Sequence, residues 1–447
     1  MCFLAKMYAP LTGLNRRFVH ACAAGILSLG CAEPASALEW RFNGDAKIAE
    51  EYNTNIFLNA PAPKDGAWGQ GFDTMGQFGV SDLNWHSRLV GRFNNRWYLP
   101  NSSLDYQNQL FNWNADYALE RSRFGLDAEY NLDTTLTQAA DVASDLGFVF
   151  ARIPKTTRVL APNWHYDLSE KTELGLNYSY QDTEYDSKKN LNRFPNSRAH
   201  TGSLELSHTW NERLRLFGNA TYTDYALTSQ DNELVFPNRF FDSITLVPGS
   251  TTSIRTTTGM AGFDYALSET LQVSLAGGLQ YNQTATPKQF VRSYAQFPDG
   301  NILLLANREN AASSANSLGE VFSAKIDQRF ENSNINLSIS RSISPNITGQ
   351  LFTYETYGVS GQYRFSPLLS GSLSATYSEQ TSPAQQNQAA QTLQRLSLQS
   401  SLNYQWSEHW VLSGNYQYSQ IEYSQRTETP NNHALYLNLQ YLFDQRF

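Results

Sequence analysis

Three arginines near the start of the chain share one parity of an alternating segment. Arg88, Arg92 and Arg96 occupy even positions, and apolar residues such as Leu89 and Phe93 occupy odd ones. Because successive side chains of an extended strand point to opposite faces, the guanidinium groups would share one face and the apolar groups the other. If the charged face bordered an aqueous passage, it could order water and screen solutes by charge.

Other charged residues follow the same rule further along the chain. We expect the same inward face for acidic residues on neighbouring strands and for a mixed row on a distant strand: Asp116, Asp127, Glu129, Asp133, Lys325, Asp327 and Arg329. Opposed rows of charge would set up a transverse field across a channel. Pairing of these charges across strands, which would merely fill the interior, fits the sequence equally well.

Residue types that support catalysis or metal binding are sparse. All three cysteines precede residue 38, and no histidine has metal-ligand spacing with another histidine. The sequence therefore predicts no cofactor, no metal site and no enzyme. His200 lies near Asp182 and Glu184 in sequence, and this is the only grouping that resembles a hydrolase at a barrel rim.

A formal net charge of −8 without basic patches argues against nucleic acid as a partner.

An alternation of apolar and polar side chains with a period of two runs through the chain. In the last segment, Leu435, Leu437 and Leu439 alternate with Asn438 and Gln440. Such segments reach about twice the five or six residues of an average globular strand, which argues against a secreted β-sandwich or β-helix. A mean hydropathy of −0.47 is compatible with a membrane barrel, because only every second residue of its strands needs to be apolar.

Two kinds of connection alternate between these segments. Short polar turns join one strand directly to the next, as at residues 168–171 and 406–409. Longer segments rich in Asn, Asp, Pro, Ser and Gly occupy residues 136–156, 186–199, 229–250, 285–316, 381–393 and 425–432. Short connections on one rim and long ones on the other are typical of outer-membrane barrels.

These patterns predict an all-β fold, a transmembrane antiparallel up-and-down β-barrel of about eighteen strands with short periplasmic turns and long extracellular loops. An even strand count places both termini in the periplasm. Sixteen strands remain an alternative, because the alternation between Arg41 and Leu83 is weak and Pro162 interrupts one strand. The loops at 229–250 and 285–316 are long enough to fold into the passage.

Aromatic residues mark both expected membrane boundaries. Tyr178, Tyr222 and Tyr281 lie toward the ends of strands that precede long connections, and Trp210 and Trp406 lie beside short turns. Amphipathic rings favour the level of the lipid headgroups. We therefore expect two aromatic girdles around the barrel.

Both ends of the chain carry features of export and assembly. Residues 1–37 read as a signal peptide, with a positively charged start, an apolar stretch and a small-residue cleavage site at 35–37. Residues 38–447 would form the barrel, in the outer membrane of a Gram-negative cell. Phe447 is an aromatic final residue, which resembles the assembly signal that the barrel-insertion machinery reads.

Between residues 105 and 225 the sequence resembles a known family. The stretches that carry the resemblance are Leu119-Glu120-Arg121, Gly125 to Tyr130, Asp133 to Thr137, Pro162-Asn163-Trp164 with Tyr166, Leu168-Ser169-Glu170 and Thr172 to Tyr180. They look like a family of uncharacterised, porin-type outer-membrane β-barrel proteins of Gram-negative bacteria, some encoded with exopolysaccharide or exosortase systems. The resemblance implies the fold and the location, and it brings no catalytic or ligand residues.

The function expected from the sequence is that of a passive channel, either for small hydrophilic solutes or for an extruded exopolysaccharide. The alternatives are a non-conducting barrel that anchors or scaffolds an envelope assembly and, less favoured, a hydrolase at the rim. The expected partners are outer-membrane lipid and lipopolysaccharide, the barrel-insertion machinery, and the polysaccharide or small hydrophilic solute itself.

Overall fold

The computed structural model describes residues 38–58, 66–99, 102–134, 153–186, 194–229, 232–237, 242–297, 302–345, 351–382, 390, 392–424 and 428–446. The expected signal peptide and Phe447 lie outside these residues. Nearly all of the described chain is extended. Among the helices of this described part, none is long and apolar enough to cross a membrane.

Eighteen strands of 13 to 17 residues build the main sheet. They are β1 (Glu39–Asn53), β2 (Ala67–Ser81), β3 (Trp85–Leu99), β4 (Tyr106–Ala118), β5 (Ser122–Thr134), β6 (Pro154–Ser169), β7 (Thr172–Tyr185), β8 (Asn196–Asn211), β9 (Leu214–Thr228), β12 (Thr251–Ala266), β13 (Leu271–Thr286), β16 (Ser313–Arg329), β17 (Ser333–Pro345), β18 (Leu351–Arg364), β19 (Leu369–Thr381), β20 (Thr392–Gln405), β21 (Trp410–Tyr423) and β22 (Asn431–Arg446). A single 3-10 helix, Ser102–Leu104, precedes β4.

The sheet closes on itself. Each strand pairs antiparallel with the next along the chain, β9 pairs with β12, and β13 pairs with β16. The first and last strands complete the cylinder, with Asn43 opposite Asp444 and Ile48 opposite Leu439. Closure gives every strand two neighbours, so no backbone edge would face the hydrocarbon of a membrane. The predicted barrel is confirmed, and the strand number is eighteen rather than sixteen.

The two strands with weak alternation are complete members of the barrel. β1 and β2 pair in register over their full lengths. Ile48 on β1 and Trp68 on β2 are exposed on the outer wall, which identifies that face. Pro162 does not end β6: it pairs with Leu126 of β5, whereas the ladder to β7 skips Ala161 and Pro162. Because proline lacks an N–H group, one side of the ladder is lost and the strand continues.

Apolar side chains cover the outer wall in register. Leu176, Leu204 and Leu279 lie in one outward-facing row across β7 to β13, through Ala220 and Gly259. In a soluble protein such a row would need a covering layer, and here it faces outward and stays exposed. The closed sheet with an apolar exterior has the architecture of an outer-membrane β-barrel.

The next outward-facing row toward the long connections is aromatic. Tyr178, Tyr222 and Tyr281 stand in cross-strand register, joined through Gly202 and Thr257. We call these three side chains the tyrosine row. At the other rim, beside the short turns, Trp210 and Trp406 are exposed on the outer wall, as the aromatic girdles predicted from the sequence require.

Two of the long connections contain a second sheet. β10 (Asn232–Pro237), β11 (Asp242–Val247), β14 (Gln289–Gln296) and β15 (Ile302–Asn310) pair in the order β10-β11-β14-β15. The sequence pattern assigned residues 229–250 and 285–316 to loops. The structure instead forms a hairpin in each of the two segments and pairs β11 with β14, so that the facing N–H and C=O groups of these two strands bond to each other.

Neighbouring residues in the middle of β20 test the assignment of the two faces. Leu398 lies on the outer wall and Gln399 on the inner wall, where it is exposed. We expect Leu398→Arg to lower the free energy of unfolding by about 2–4 kcal/mol, because it puts a charge in lipid, and Gln399→Arg to be mild. Urea titration of the barrel folded into lipid vesicles measures both. Equal losses in the two variants would contradict the assignment.

Candidate channel lumen

The arginines predicted from the first alternating segment lie on the inner wall of β3. Trp97 and Leu99, on the opposite parity of this strand, are exposed on the outer wall. Arg88, Arg92 and Arg96 therefore point into the barrel at successive levels. Their surroundings differ, and this difference decides what each guanidinium group can do.

Near the short turns the inner wall is hydrated. Arg88 donates a hydrogen bond to the Asn114 side chain at 3.2 Å, and Asn114 in turn donates to Asp127 of β5. Asp116 pairs with His86, with 2.9 Å between Oδ2 and Nε2, and about half of each side chain remains exposed. Such pairs contribute little to stability, because water already solvates their charges.

Arg92 lies midway along β3 and is exposed to the lumen. Within the described part of the chain it forms no ion pair. Its charge is therefore not neutralised by any of these residues, which is one of the two alternatives that the sequence left open for this row.

Arg96 lies closer to the long loops and is buried among carboxylates. Its Nη1 lies 2.7 Å from Asp73 Oδ1, and its Nε lies 3.3 Å from Glu51 Oε2, with all three side chains at most 7% exposed. Lys47 also pairs with Asp73, at 2.6 Å, and the Tyr98 hydroxyl donates to Glu51. This cluster joins β1, β2 and β3 and leaves no charge free for a solute.

A second buried pair lies on β5 and β6. Asp133 Oδ1 lies 3.3 Å from Lys155 Nζ, and the two side chains are 5% and 2% exposed. Glu129 faces the same way two inward positions further down β5 and is half-buried. It forms no ion pair with any described residue. It therefore adds an unpaired carboxylate to the inner wall between Asp127, on the short-turn side, and the buried Asp133.

The distant charged row lies on β16, nine strands from β3 and thus diametrically opposite it in a barrel of eighteen. Lys325 pairs with Asp327 at 2.9 Å, and Asn336 donates to the same carboxylate at 2.5 Å. Arg329 is exposed at the short-turn end and makes no ion pair among the residues described. The structure therefore does not bring the β16 row into contact with the rows on β3 to β5.

The inner face of β17 to β21 carries almost no charge. Within the described residues, Arg364 at one end and Arg395 at the other are its only charged inward side chains. Hydroxyl and amide groups cover the wall between them: Asn336, Ser338, Ser340, Thr356, Ser360, Gln362, Ser372, Ser374, Thr376, Ser397, Gln399, Ser401, Asn403, Ser413, Asn415 and Gln417. We call this surface the neutral wall.

The inner wall is packed in its long-loop half and open in its short-turn half. The buried inward side chains concentrate toward the long loops on every side of the barrel, for example Glu51, Arg96, Lys155, Asn282 and Gln380. Side chains therefore fill more of the lumen near the long loops, which we call the narrow half, than near the short turns.

Sequence reasoning missed three members of the Arg96 cluster, namely Lys47, Glu51 and Asp73. The signal was present, because Lys47 and Glu51 share a parity opposite to the outward Phe42 and Ile48. The outer face of β1 mixes glycine, alanine and glutamate with its apolar residues, so the alternation is diluted. Only the strand register brings the three charges to Arg96.

His200 lies on the outer wall, and among the residues that the structure describes no carboxylate pairs with it. Its Nδ1 lies 2.8 Å from the Tyr178 hydroxyl, and its ring packs on Tyr180. Asp182 and Glu184 instead bind Arg158, at 2.8 and 3.0 Å. The acid and base groups of a hydrolase are thus not assembled at this position. In the described ranges no group of three or more His, Cys, Asp or Glu side chains could hold a metal ion.

Comparisons with known proteins identify similar barrels. No family model matches the chain, and no curated protein matches it. Among solved structures, the open form of the ferric-catecholate import receptor Fiu from E. coli K12 is similar at 8% identity and a TM-score of 0.45, covering 92% of this chain and 82% of that one. Acinetobacter baumannii OccAB2 is similar at 13% identity and a TM-score of 0.42, covering 90% and 98%. Pseudomonas aeruginosa OpdK, solved with vanillate, is similar at 10% identity and a TM-score of 0.43, covering 90% of this chain and 99% of that one.

Arg92 and Arg96 lie four residues apart on the same face of β3, and they test the effect of burial. We expect Arg96→Ala to destabilise the barrel by about 3–5 kcal/mol, because it leaves Asp73 and Glu51 buried with less compensation. Arg92→Ala should change stability by no more than about 0.5 kcal/mol. Denaturant unfolding in detergent micelles measures both variants, and a loss at Arg92 as large as that at Arg96 would contradict the two environments.

Proposed function

We propose that this protein is a passive outer-membrane channel for hydrophilic solutes. The observation that carries the proposal is the water-exposed polar lining of the short-turn half, from Arg88 and Arg92 on one side to Ser360 and Gln399 on the other. Barrels of sixteen to eighteen strands are wide enough to hold an aqueous passage. A barrel that served only as an anchor would not need a hydrated lining of this extent.

The neutral wall favours uncharged, polyhydroxylated solutes. Hydroxyl and amide groups both donate and accept hydrogen bonds, so they can replace the water around a sugar without imposing a charge. Ser372 and Ser401 share a hydrogen bond of 2.7 Å, whereas Ser374 and Gln399 form no side-chain hydrogen bond with the described residues. The donors and acceptors of these two side chains are free to meet a solute.

A saccharide chain fits this lining better than a charged solute. The resemblance noted from the sequence suggests an exopolysaccharide conduit, and the neutral wall supports that version of the proposal. The Arg96 cluster and the Asp133–Lys155 pair lie in the narrow half, and within each of them the charges neutralise one another. They therefore add little selectivity for ions at the narrow level.

Single-channel recording tests conduction directly. We expect stable current steps from the refolded mature chain in planar bilayers. Gln399→Trp should reduce the step size, because it fills the passage, whereas Leu398→Trp on the lipid side of the same strand should leave the step unchanged. Silence from a folded wild-type barrel would overturn the channel.

Vesicle swelling tests the solute class. We expect vesicles that contain the protein to swell several-fold faster in glucose than in gluconate at matched osmolarity. Gluconate carries a carboxylate that the neutral wall cannot stabilise as well as water does. Equal rates for the two solutes would contradict the preference while leaving a non-selective channel intact.

A scaffold is the second candidate, because the small sheet exposes an unusual apolar run. Ile302, Leu303, Leu304 and Leu305 are consecutive on the edge strand β15, and each is about half-exposed or more. Edge strands with apolar side chains can pair with another chain. If bilayer recordings are silent, a partner bound through β15 becomes the favoured function.

A further inference from the structure

Beyond the tyrosine row the outer wall becomes charged. The next outward-facing row contains His200, Asp224 and Arg255 in cross-strand register. In the next outward-facing row toward the long connections, Asp182 stands opposite Arg198. Charged groups on the outer wall of a membrane barrel are stable at the level of the headgroups and costly below it.

In the ion pairs of Arg198 and Arg255, only the Nε of each guanidinium group faces a carboxylate. The Arg198 Nε donates to Asp182 Oδ1 at 3.0 Å, and this carboxylate is 9% exposed because Arg158 also covers it, at 2.8 Å. The Arg198 side chain itself is 66% exposed. Its two Nη groups make no hydrogen bond within the described residues, so its outer edge is oriented and free.

Arg255 on β12 also faces a carboxylate with its Nε, in a longer ion pair. Its Nε lies 3.6 Å from Asp224 Oδ1, and its side chain is 59% exposed. Neither of its Nη groups bonds to a residue that the structure describes. Together, Arg198 and Arg255 present two planar pairs of N–H donors to whatever lies at the headgroup level of this wall.

Two such donor pairs above an apolar wall match one class of ligand. The Nη edge of arginine binds phosphate oxygens in a fork, with geometry that lysine lacks. The row of Leu176, Leu204 and Leu279 below the tyrosine row offers a surface for acyl chains. The long-loop rim of outer-membrane barrels faces outward, where the leaflet consists of phosphorylated glycolipid.

We propose that Arg198 and Arg255 form a binding site for the phosphate groups of lipopolysaccharide on the outer wall of β7 to β12. Arg158 and Asp182 are positioning residues for Arg198, and Asp224 is the ion-pair partner of Arg255; none of the three occupies the outer edge of either guanidinium group. The acids also offset the local positive charge, so recognition needs the acyl chains and the phosphates together. Inorganic phosphate alone should therefore bind weakly. The site is independent of conduction.

Binding of lipid A to the folded mature chain in detergent, followed by native mass spectrometry, tests the site. The Arg198→Ala/Arg255→Ala double variant should bind bisphosphorylated lipid A about tenfold more weakly than wild type. Wild type should bind dephosphorylated lipid A about tenfold more weakly than it binds bisphosphorylated lipid A. Arg198→Lys, which keeps the charge and removes the fork, should fall between wild type and Arg198→Ala.

The matched control is Arg213→Ala, which removes an exposed arginine from the β8–β9 turn at the opposite rim. Its affinity for lipid A should equal that of wild type. Folding of every variant is checked by its heat-dependent shift in gel mobility. Unchanged affinity in the folded double variant would overturn the site. Equal, arginine-dependent binding of phosphatidylglycerol would overturn the assignment to lipopolysaccharide in favour of any anionic lipid.

Discussion

The rest of the structure depends on one constraint, that no backbone N–H or C=O group can be left unpaired in hydrocarbon. The pairing of β1 with β22 meets it by giving the first and last strands a partner more than 380 residues away. Once the cylinder is closed, each strand has fixed neighbours and a fixed register. Every side chain is then committed either to the outer wall or to the inner one.

The same types of charged residue lie in two different environments on the inner wall. In the long-loop half, Arg96 and Lys155 are buried and paired, since an isolated charge there would lose its hydration without compensation. In the short-turn half, Arg88 and Arg92 keep their water. The neutral wall across the barrel needs no such pairing, because hydroxyl and amide groups are solvated or bonded to one another at little cost.

The outer wall is layered along the strands. Leucines face the hydrocarbon, the tyrosine row lies at its boundary, and Arg198 with Arg255 lies beyond. Arginine thus serves in three settings in one chain: hydrated in the lumen at Arg92, enclosed by carboxylates at Arg96, and held by its Nε beside lipid at Arg198. The surroundings that closure imposes decide which groups on each guanidinium remain free.

The sequence by itself determined the class of fold and the face of most side chains, and it limited the number of strands to sixteen or eighteen. A period of two and the position of short turns are local properties of each segment, and they can be recognised without knowing which strands lie beside it. This is why Arg88 and Asp127 could be assigned to the inner wall from the sequence, whereas β1 and β2, with diluted alternation, could not be assigned from pattern alone.

Only the tertiary structure decided which inward charges are buried, which pairs form, and how the long connections are used. The Arg96 cluster draws residues from three strands, and the phosphate site proposed on the outer wall draws residues from five. The second sheet pairs segments from two separate connections. These groupings depend on cross-strand register and on the shape of the closed barrel, and neither is encoded in the alternation of any single strand.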